Sequence, residues 1–275
     1  MCSTQAMAKV TVVAWQNRTQ YFLMEEIMLA KALETHVNEI LASARYKDYC
    51  PNGLQVEGRA NVQHIVTGVT ANMELLERAV EVGADAVLVH HGYFWKNEDD
   101  NIIGMKRQRI GYLIKHDLNL YAWHLPLDAH GELGNNIQLA KRAGWEAEGR
   151  FGDQDIGFYG RITLAMTAEE FSCCLEKVLD RKPLLIGNAN RKISRIAWCT
   201  GAAQGYFMQA VSLGVDAFVS GEISEQTVHI ARETGVAYLA AGHHATERYG
   251  IEALGAYLAK TFGLNHTHID IPNPV

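Results

Sequence analysis

The sequence predicts an α/β protein built as two duplicated lobes with mixed, mainly parallel sheets. Two observations carry this expectation. Residues 64–70 and 86–89 are apolar, β-branched runs of strand length, and the amphipathic stretch 73–82 between them completes a strand–helix–strand unit. The same framework then returns: Ile65, Ala79-Val80, Gly83 and Asp85-Ala86 recur 131 residues later as Ile196, Ala210-Val211, Gly214 and Asp216-Ala217. A chain of 275 residues has the length for two such lobes. The expected division is an N-terminal extension at 1–24, a first lobe at 25–148 and a second at 149–275.

Taken in order, residues 25–45 place Ile27, Leu33, Val37, Ile40, Leu41 and Ala44 on one helical stripe. Pro51-Asn52-Gly53 breaks that stripe as a turn, and residues 54–57 alternate like a strand edge. Asn72 is the expected N-cap of the 73–82 helix, and Gly83 its stop. Residues 106–116 suit a further helix and 118–123 a strand, after which Asn135 or Asn136 caps a helix that Gly144 ends. Residues 161–166 read as a strand, Thr167 as the cap of the next helix and Pro183 as a turn. A last strand at 236–240 runs into Gly242 and a helix that Gly263 ends.

Composition narrows the classes of function. With 25 basic against 31 acidic residues and a net charge of −6, the chain lacks the broad cationic footprint of a nucleic-acid binder. No apolar run approaches the roughly 18 residues of a membrane helix. Cys2, Cys50, Cys173, Cys174 and Cys199 form no C-x-x-C pair, a usage that suits a reducing cytoplasm. There is no P-loop, no G-x-G-x-x-G after a strand and no G-x-S-x-G. Ahead of the helical pattern, the apolar stretch at 9–15 is too short for a signal peptide. Residues 1–23 are therefore expected to be either a floppy extension or a segment upstream of a natural start at Met24.

The chemistry gathers at strand ends, where ligand sites open in α/β sheets. The 86–89 strand runs straight into His90 and His91. Adjacent strand residues point to opposite faces, so two ions side by side suit this pair better than one. The 118–123 strand delivers His124, Asp128 and His130, and the 236–240 strand delivers His243, His244 and Glu247. His243 and Glu247 stand one helical turn apart. Each group alone has an ordinary reading, as a core histidine, a turn residue or a surface hydrogen bond. Their convergence favours a metal centre, and mixed imidazole and carboxylate ligands suit zinc, iron or manganese. Five candidates, His90, His91, Asp128, His243 and Glu247, suit two divalent ions, which lower the pKa of a shared water and clamp a substrate oxygen. His124 and His130 are the candidate proton-moving catalytic residues, while His244 is expected to point away. Tyr93, Trp95 and Lys96 either line a pocket or pack. Gly221-Glu222 reads as a cavity-facing loop of unassigned role, and His266 and His268 carry no expected function.

Four stretches stand in order: Pro51-Asn-Gly-Leu-Gln-Val-Glu-Gly58, Val89-His-His-Gly-Tyr-Phe-Trp-Lys96, Trp123-His-Leu-Pro-Leu-Asp-Ala-His130 and Gly242-His-His-Ala-Thr-Glu-Arg248. In these the chain resembles the GTP cyclohydrolase I type 2 family, also called the Nif-three-like dinuclear metal proteins. The resemblance spans about residues 25–275 and is greatest to the short bacterial members without an inserted middle domain. It implies that His91 and Asp128 hold one metal, that His90 and His243 hold the other, and that Glu247 bridges them. It also implies a ring-shaped homohexamer, and the expected activity is that of a cytoplasmic hydrolase that attacks with a hydroxide held between the ions. The implied substrate is GTP, opened at its purine ring, or another nucleotide-like molecule. A non-catalytic metal-binding or regulatory scaffold and a metal-dependent phosphoesterase on nucleotides or nucleic-acid ends are the alternatives. If translation starts at Met24, mass spectrometry of the native protein finds nothing from the extension; a peptide covering Gln5 to Tyr21 rules that start out.

Overall fold

A computed structural model describes residues 28–275, so the extension and the Met24 start lie outside the described residues. Strand β1 (Met28–Leu29) leads into helix α1 (Ala30–Ile40), followed by β2 (Gly53–Val56), β3 (Asn61–Val62) and β4 (His64–Thr70). Helix α2 (Met73–Glu81), β5 (Ala86–His91), α3 (Gly104–Lys115) and β6 (Asn119–Ala122) come next, then α4 (Leu125–Ala129) and α5 (Asn135–Ala143). The second half holds β7 (Trp145–Phe151), β8 (Gly157–Thr167), α6 (Ala168–Leu179), β9 (Leu184–Ile186) and β10 (Lys192–Cys199). It ends with α7 (Phe207–Ser212), β11 (Ala217–Ser220), α8 (Glu225–Thr234), β12 (Ala237–Ala240), α9 (His243–Phe262) and β13 (Asn265–His268).

The α/β class and the repeat are both present. A five-stranded sheet runs β13-β4-β5-β6-β2 and a six-stranded sheet runs β7-β8-β10-β11-β12-β9. In each, three parallel strands with intervening helices (β4, β5, β6 and β10, β11, β12) are flanked by an antiparallel strand, β2 or β9. Asp85 and Asp216, matched in the repeat, do the same job. Asp85 accepts from the backbone N–H groups of Gln63 and His64, and Asp216 from those of Ser194 and Arg195. The outer strands break the symmetry of two consecutive blocks. β7, which follows α5, joins the second sheet, and β13, which follows α9, pairs with β4 of the first. The expected boundary after residue 148 thus falls inside β7, and residues 265–268 belong with the first sheet.

Strand alternation sorts the cores. Val66, Val87 and Leu120 face α2 and α3, while Ile65, Leu88 and Tyr121 face α1 and α9. Trp198, Val219 and Leu239 pack towards α5 and α6, while Phe218 and Tyr238 pack towards α7. Helix α9 serves both lobes: Ile251, Leu254 and Leu258 fill the first core, and Ala245 and Tyr249 the second. No described helix is long and apolar enough to cross a membrane.

Local departures from the sequence pattern have identifiable causes. The first helix stops at Ile40 because the backbone turns left-handed at Ala42 (φ 50°), which leaves Ala44 exposed. Gly134 caps α5, and Asn135 and Asn136, expected at the cap, lie inside its first turn with buried side chains that bond elsewhere. Asn72 caps α2 as expected, accepting from Leu75 N at 2.8 Å, and Thr167 and Glu170 form a reciprocal capping box on α6. Asp85→Ala is expected to cost about 1–3 kcal/mol by orphaning the donors it serves. Asp216→Ala costs less, because its carboxylate is 30% exposed against 16%. Denaturant midpoints of the two variants check the order.

Candidate metal centre

Five of the sequence candidates meet where the carboxyl ends of β5 and β6 approach the first turn of α9. β5 runs on through both histidines, which puts His90 and His91 on opposite sides of the strand end. His90 is fully buried, and its Nε2 lies 3.5 Å from Asp128 Oδ1 and 3.5 Å from Glu247 Oε1. His91 Nε2 and His243 Nε2 approach the other oxygen, Glu247 Oε2, at 3.2 and 3.1 Å. Glu247 therefore offers one carboxylate oxygen to each side. Two of the groups close enough to hold an ion share Glu247, namely His90–Asp128–Glu247 and His91–His243–Glu247, and His90, His91 and His124 form another. The resemblance implies another division, with His91 beside Asp128 and His90 beside His243. Strand alternation favours the first: His90 shares the inner face of β5 with Leu88, where Asp128 sits, and His91 turns towards His243.

The rings are aimed from behind. His90 Nδ1 donates to Trp123 O at 2.9 Å, His243 Nδ1 donates to Glu222 Oε1 at 2.7 Å, and His91 Nδ1 faces the Thr70 hydroxyl at 3.2 Å. With Nδ1 donating, the rings of His90 and His243 present Nε2 lone pairs to the interior when neutral, while the Thr70 hydroxyl serves His91 Nδ1 in either tautomer. Asp128 is held by Asn135 Nδ2 at 2.8 Å, and Asn136 ties α5 to β10 by accepting from Thr200 N at 2.9 Å. Gly201, with φ of +68°, leaves room that a Cβ would take from the Glu247 carboxylate.

Such a set fits a cation. His90 Nε2 and Glu247 Oε2 are sealed from solvent and have no hydrogen-bond partner. An unpaired buried polar atom costs about 1–3 kcal/mol, and a divalent ion is the partner both lack. In the ion-free protein, burial alone disfavours a charged His90, but the Asp128 and Glu247 carboxylates overcome it and push the ring up to about 10. Burial takes His91 the other way, to about 4, with the His90 charge adding to it. His243 also resists burial and is raised to about 9 by Glu247 and Glu222. Burial and the neighbouring Glu247 push Asp128 upwards, against the charge of His90. Burial works on Glu247 too, but the His90 and His91 rings hold it well below the usual carboxylate range.

His124 is brought to the cluster and His130 is not. The His124 ring stands 5.0 Å from that of His90 and 5.0 Å from Trp95. Its Nδ1 donates to Asp48 Oδ1 at 2.7 Å. His130 Nδ1 accepts from Leu133 N at 3.0 Å, and its ring lines a different cavity with Arg150 and Gln154. His244 turns to Asp270 at 2.8 Å, and Tyr93 donates to Ala71 O from a buried position. His266 and His268 flank Thr67. Sequence reasoning missed Asp48, which aims His124, and took Asn135, which holds Asp128, only for a helix cap. Glu222 was noticed without its purpose. Asp48 stands just ahead of the expected turn and Asn52 within it, and that turn was the available signal.

A cavity of about 300 Å³ opens on the cluster, lined by Tyr49, His124, Asp128, Tyr206, His243 and Glu247 among others, with no Lys or Arg in its wall among the described residues. Comparison with known proteins agrees with the fold. Residues 28–274 match the model of the Duf34/NIF3 (NGG1p interacting factor 3) family. The chain belongs to that family. A Duf34/NIF3 relative from Pseudomonas aeruginosa, named GTP cyclohydrolase 1 type 2 homolog, is 54% identical over 90% of this chain and all of its own length. One of the same name from Escherichia coli K12 is 53% identical, over 88% of this chain and 98% of its own. Among solved structures, the protein ybgI, described as of unknown function, matches with a TM-score of 0.87 at 52% identity, over 90% of this chain and all of that one. A protein from Thermus thermophilus matches with a TM-score of 0.82 at 30% identity, again over 90% of this chain and all of that one.

Ligation needs neutral imidazole, so metal uptake must displace the protons that His90 and His243 carry at pH 7. About two protons should therefore be released per chain loaded, and affinity should climb with pH until it passes about 9 to 10. Calorimetry in buffers of different ionisation enthalpy measures the release. Uptake without proton release would mean that both rings are already neutral.

Proposed function

We propose that the chain is a hydrolase that works through two divalent ions and acts on a nucleotide-like substrate. The observation that carries this reading is the Glu247 carboxylate, with Oε1 turned to the His90–Asp128 side and Oε2 to His91 and His243. His90, Asp128 and Glu247 would hold one ion, and His91, His243 and Glu247 the other. Zinc, iron and manganese all suit these ligands. Ions bound there supply Lewis acidity and a water of lowered pKa.

The chain's own side chains supply the rest. The cavity of about 300 Å³ is at the lower limit for small-molecule sites, the size of a base or nucleoside rather than a polymer. Tyr49, Leu125, Ile156 and Tyr206 give it walls suited to a flat ring. With no Lys or Arg in that wall, an anionic substrate group depends on the ions for its countercharge. His124 lines the same cavity and is placed to move a proton to or from the substrate at Nε2. The name shared by the relatives makes GTP, opened at its purine ring, the first substrate to try. The homohexameric ring and the cytoplasmic location implied by the resemblance and the cysteine usage belong to the same proposal. A monomer in light scattering would contradict the ring.

The test is a metal-supplemented screen of GTP, other nucleotides, cyclic nucleotides and short oligonucleotides. Turnover is expected to fall at least about hundredfold in His91→Ala and in Glu247→Gln. A metal-loaded wild-type protein inert to every nucleotide and phosphoester would overturn the hydrolase and leave a metal-binding scaffold.

A further inference from the structure

Outside the five ligand candidates, one segment is organised around a single histidine. Asp48, at the start of the turn that precedes β2, spends its whole carboxylate on the corner between β6 and α4. Its Oδ1 accepts from His124 Nδ1 at 2.7 Å and from Tyr49 N at 2.6 Å, and its Oδ2 from Leu125 N and Asn52 Nδ2, both at 2.9 Å. Asn52 completes the clasp by accepting from His124 N at 2.8 Å. The His124 side chain is 15% exposed, and that of Asp48 only 3%. The His124 ring borders the cavity, between Trp95 and the rings of His90 and His91.

We propose that Asp48 is a positioning residue that fixes His124 as the Nδ1–H tautomer, so that the ring meets substrate with a bare Nε2 as general base and then general acid. The proposal rests on the hydrolase reading for its reaction, though the tautomer itself does not. Nε2 takes a proton from the attacking water as the water oxygen bonds to the electrophilic centre. It returns that proton to the leaving atom, nitrogen in a purine ring or oxygen in a phosphoester, as the old bond breaks, and Asp48 stays ionised throughout. A carboxylate suits this task better than an amide, because it can only accept from Nδ1–H, whereas an amide can also donate and hold the ring the other way round. Saturation of Asp48 by four donors also argues against its serving as a metal ligand, although Asp48, Cys50 and His124 stand close together. The contrast with His130 is direct: there Nδ1 is the acceptor, and the neutral ring carries its proton on Nε2.

Two readouts on the whole protein test this. Long-range proton–nitrogen NMR of ¹⁵N-histidine-labelled wild type is expected to show His124 with Nδ1 protonated and Nε2 bare, before and after zinc loading. Loading should move the Nε2 resonances of His90, His91 and His243 and leave that of His124 unligated. In Asp48→Asn the tautomer should shift towards Nε2–H, and Asp48→Glu should restore it. With bis(p-nitrophenyl) phosphate as probe, Asp48→Asn is expected to lower kcat roughly hundredfold with KM within about twofold and bound zinc unchanged. His124→Ala should cost as much, and the double variant no more. A wild-type His124 carrying its proton on Nε2, or ligating zinc there, overturns the proposal, and neither result depends on any variant folding. So does an Asp48→Asn protein whose tautomer switches while kcat holds. Should the wild type turn over no substrate at all, the hydrolase reading fails, and the NMR result alone decides whether Asp48 positions His124.

Discussion

A single buried carboxylate has to reach two groups of ligands at once, and the architecture can be read as the means of placing it. Glu247 sits one turn into α9, a 20-residue helix whose remaining length is wedged between the two lobes. Because α9 fills both cores, the position of its first turn is set by apolar packing on two sides. The ligands it carries therefore do not have to find their partners by side-chain flexibility. Glycine keeps the approach open: Gly221 passes with its would-be Cβ 2.7 Å from His243 Cα, a space that any side chain would fill. The energetic cost of sealing Glu247 Oε2 and His90 Nε2 without hydrogen-bond partners makes sense only if a cation offsets it.

The histidines follow one design. In His90, His91, His243 and His124 the outer nitrogen, Nδ1, faces a fixed group, respectively a carbonyl, a hydroxyl and two carboxylates. Each ring then has its Nε2 left for the interior. The anchors differ in strength, and so does burial: the His90–Asp128 side is closed, while His91 and His243 are partly open to solvent. The cavity beside His124 reaches Asp128, His243 and Glu247, while His91 and His243 also open into a second, smaller hollow with Thr70 and His244.

Much of this was legible in the sequence, for physical reasons that can be named. β-branched runs and helix caps such as Asn72 and Thr167 act locally, so β4, α2 and α6 stand where the pattern puts them. The offset repeat foretold matched strands because Asp85 and Asp216 cap the same turns in both halves. The ligand candidates were legible because strand ends are where such residues gather. What was not legible is long-range. The exchange of β7 and β13 depends on pairings that no local pattern encodes, and so does the crossing from Asp48 to His124. Asn135 and Asn136 illustrate the limit: their type and place match a cap, and only the packed structure turns them towards Asp128, Gly250 and Thr200. Which face of β5 meets α4 was hidden for the same reason.

The central claim is that Glu247 joins two ion positions through its two oxygens. Anomalous diffraction from crystals of the metal-loaded protein tests it most directly. Two anomalous peaks per chain are expected, one beside His90, Asp128 and Glu247 Oε1 and the other beside His91, His243 and Glu247 Oε2. A single peak, or two peaks with His91 on the same ion as Asp128, would contradict the account.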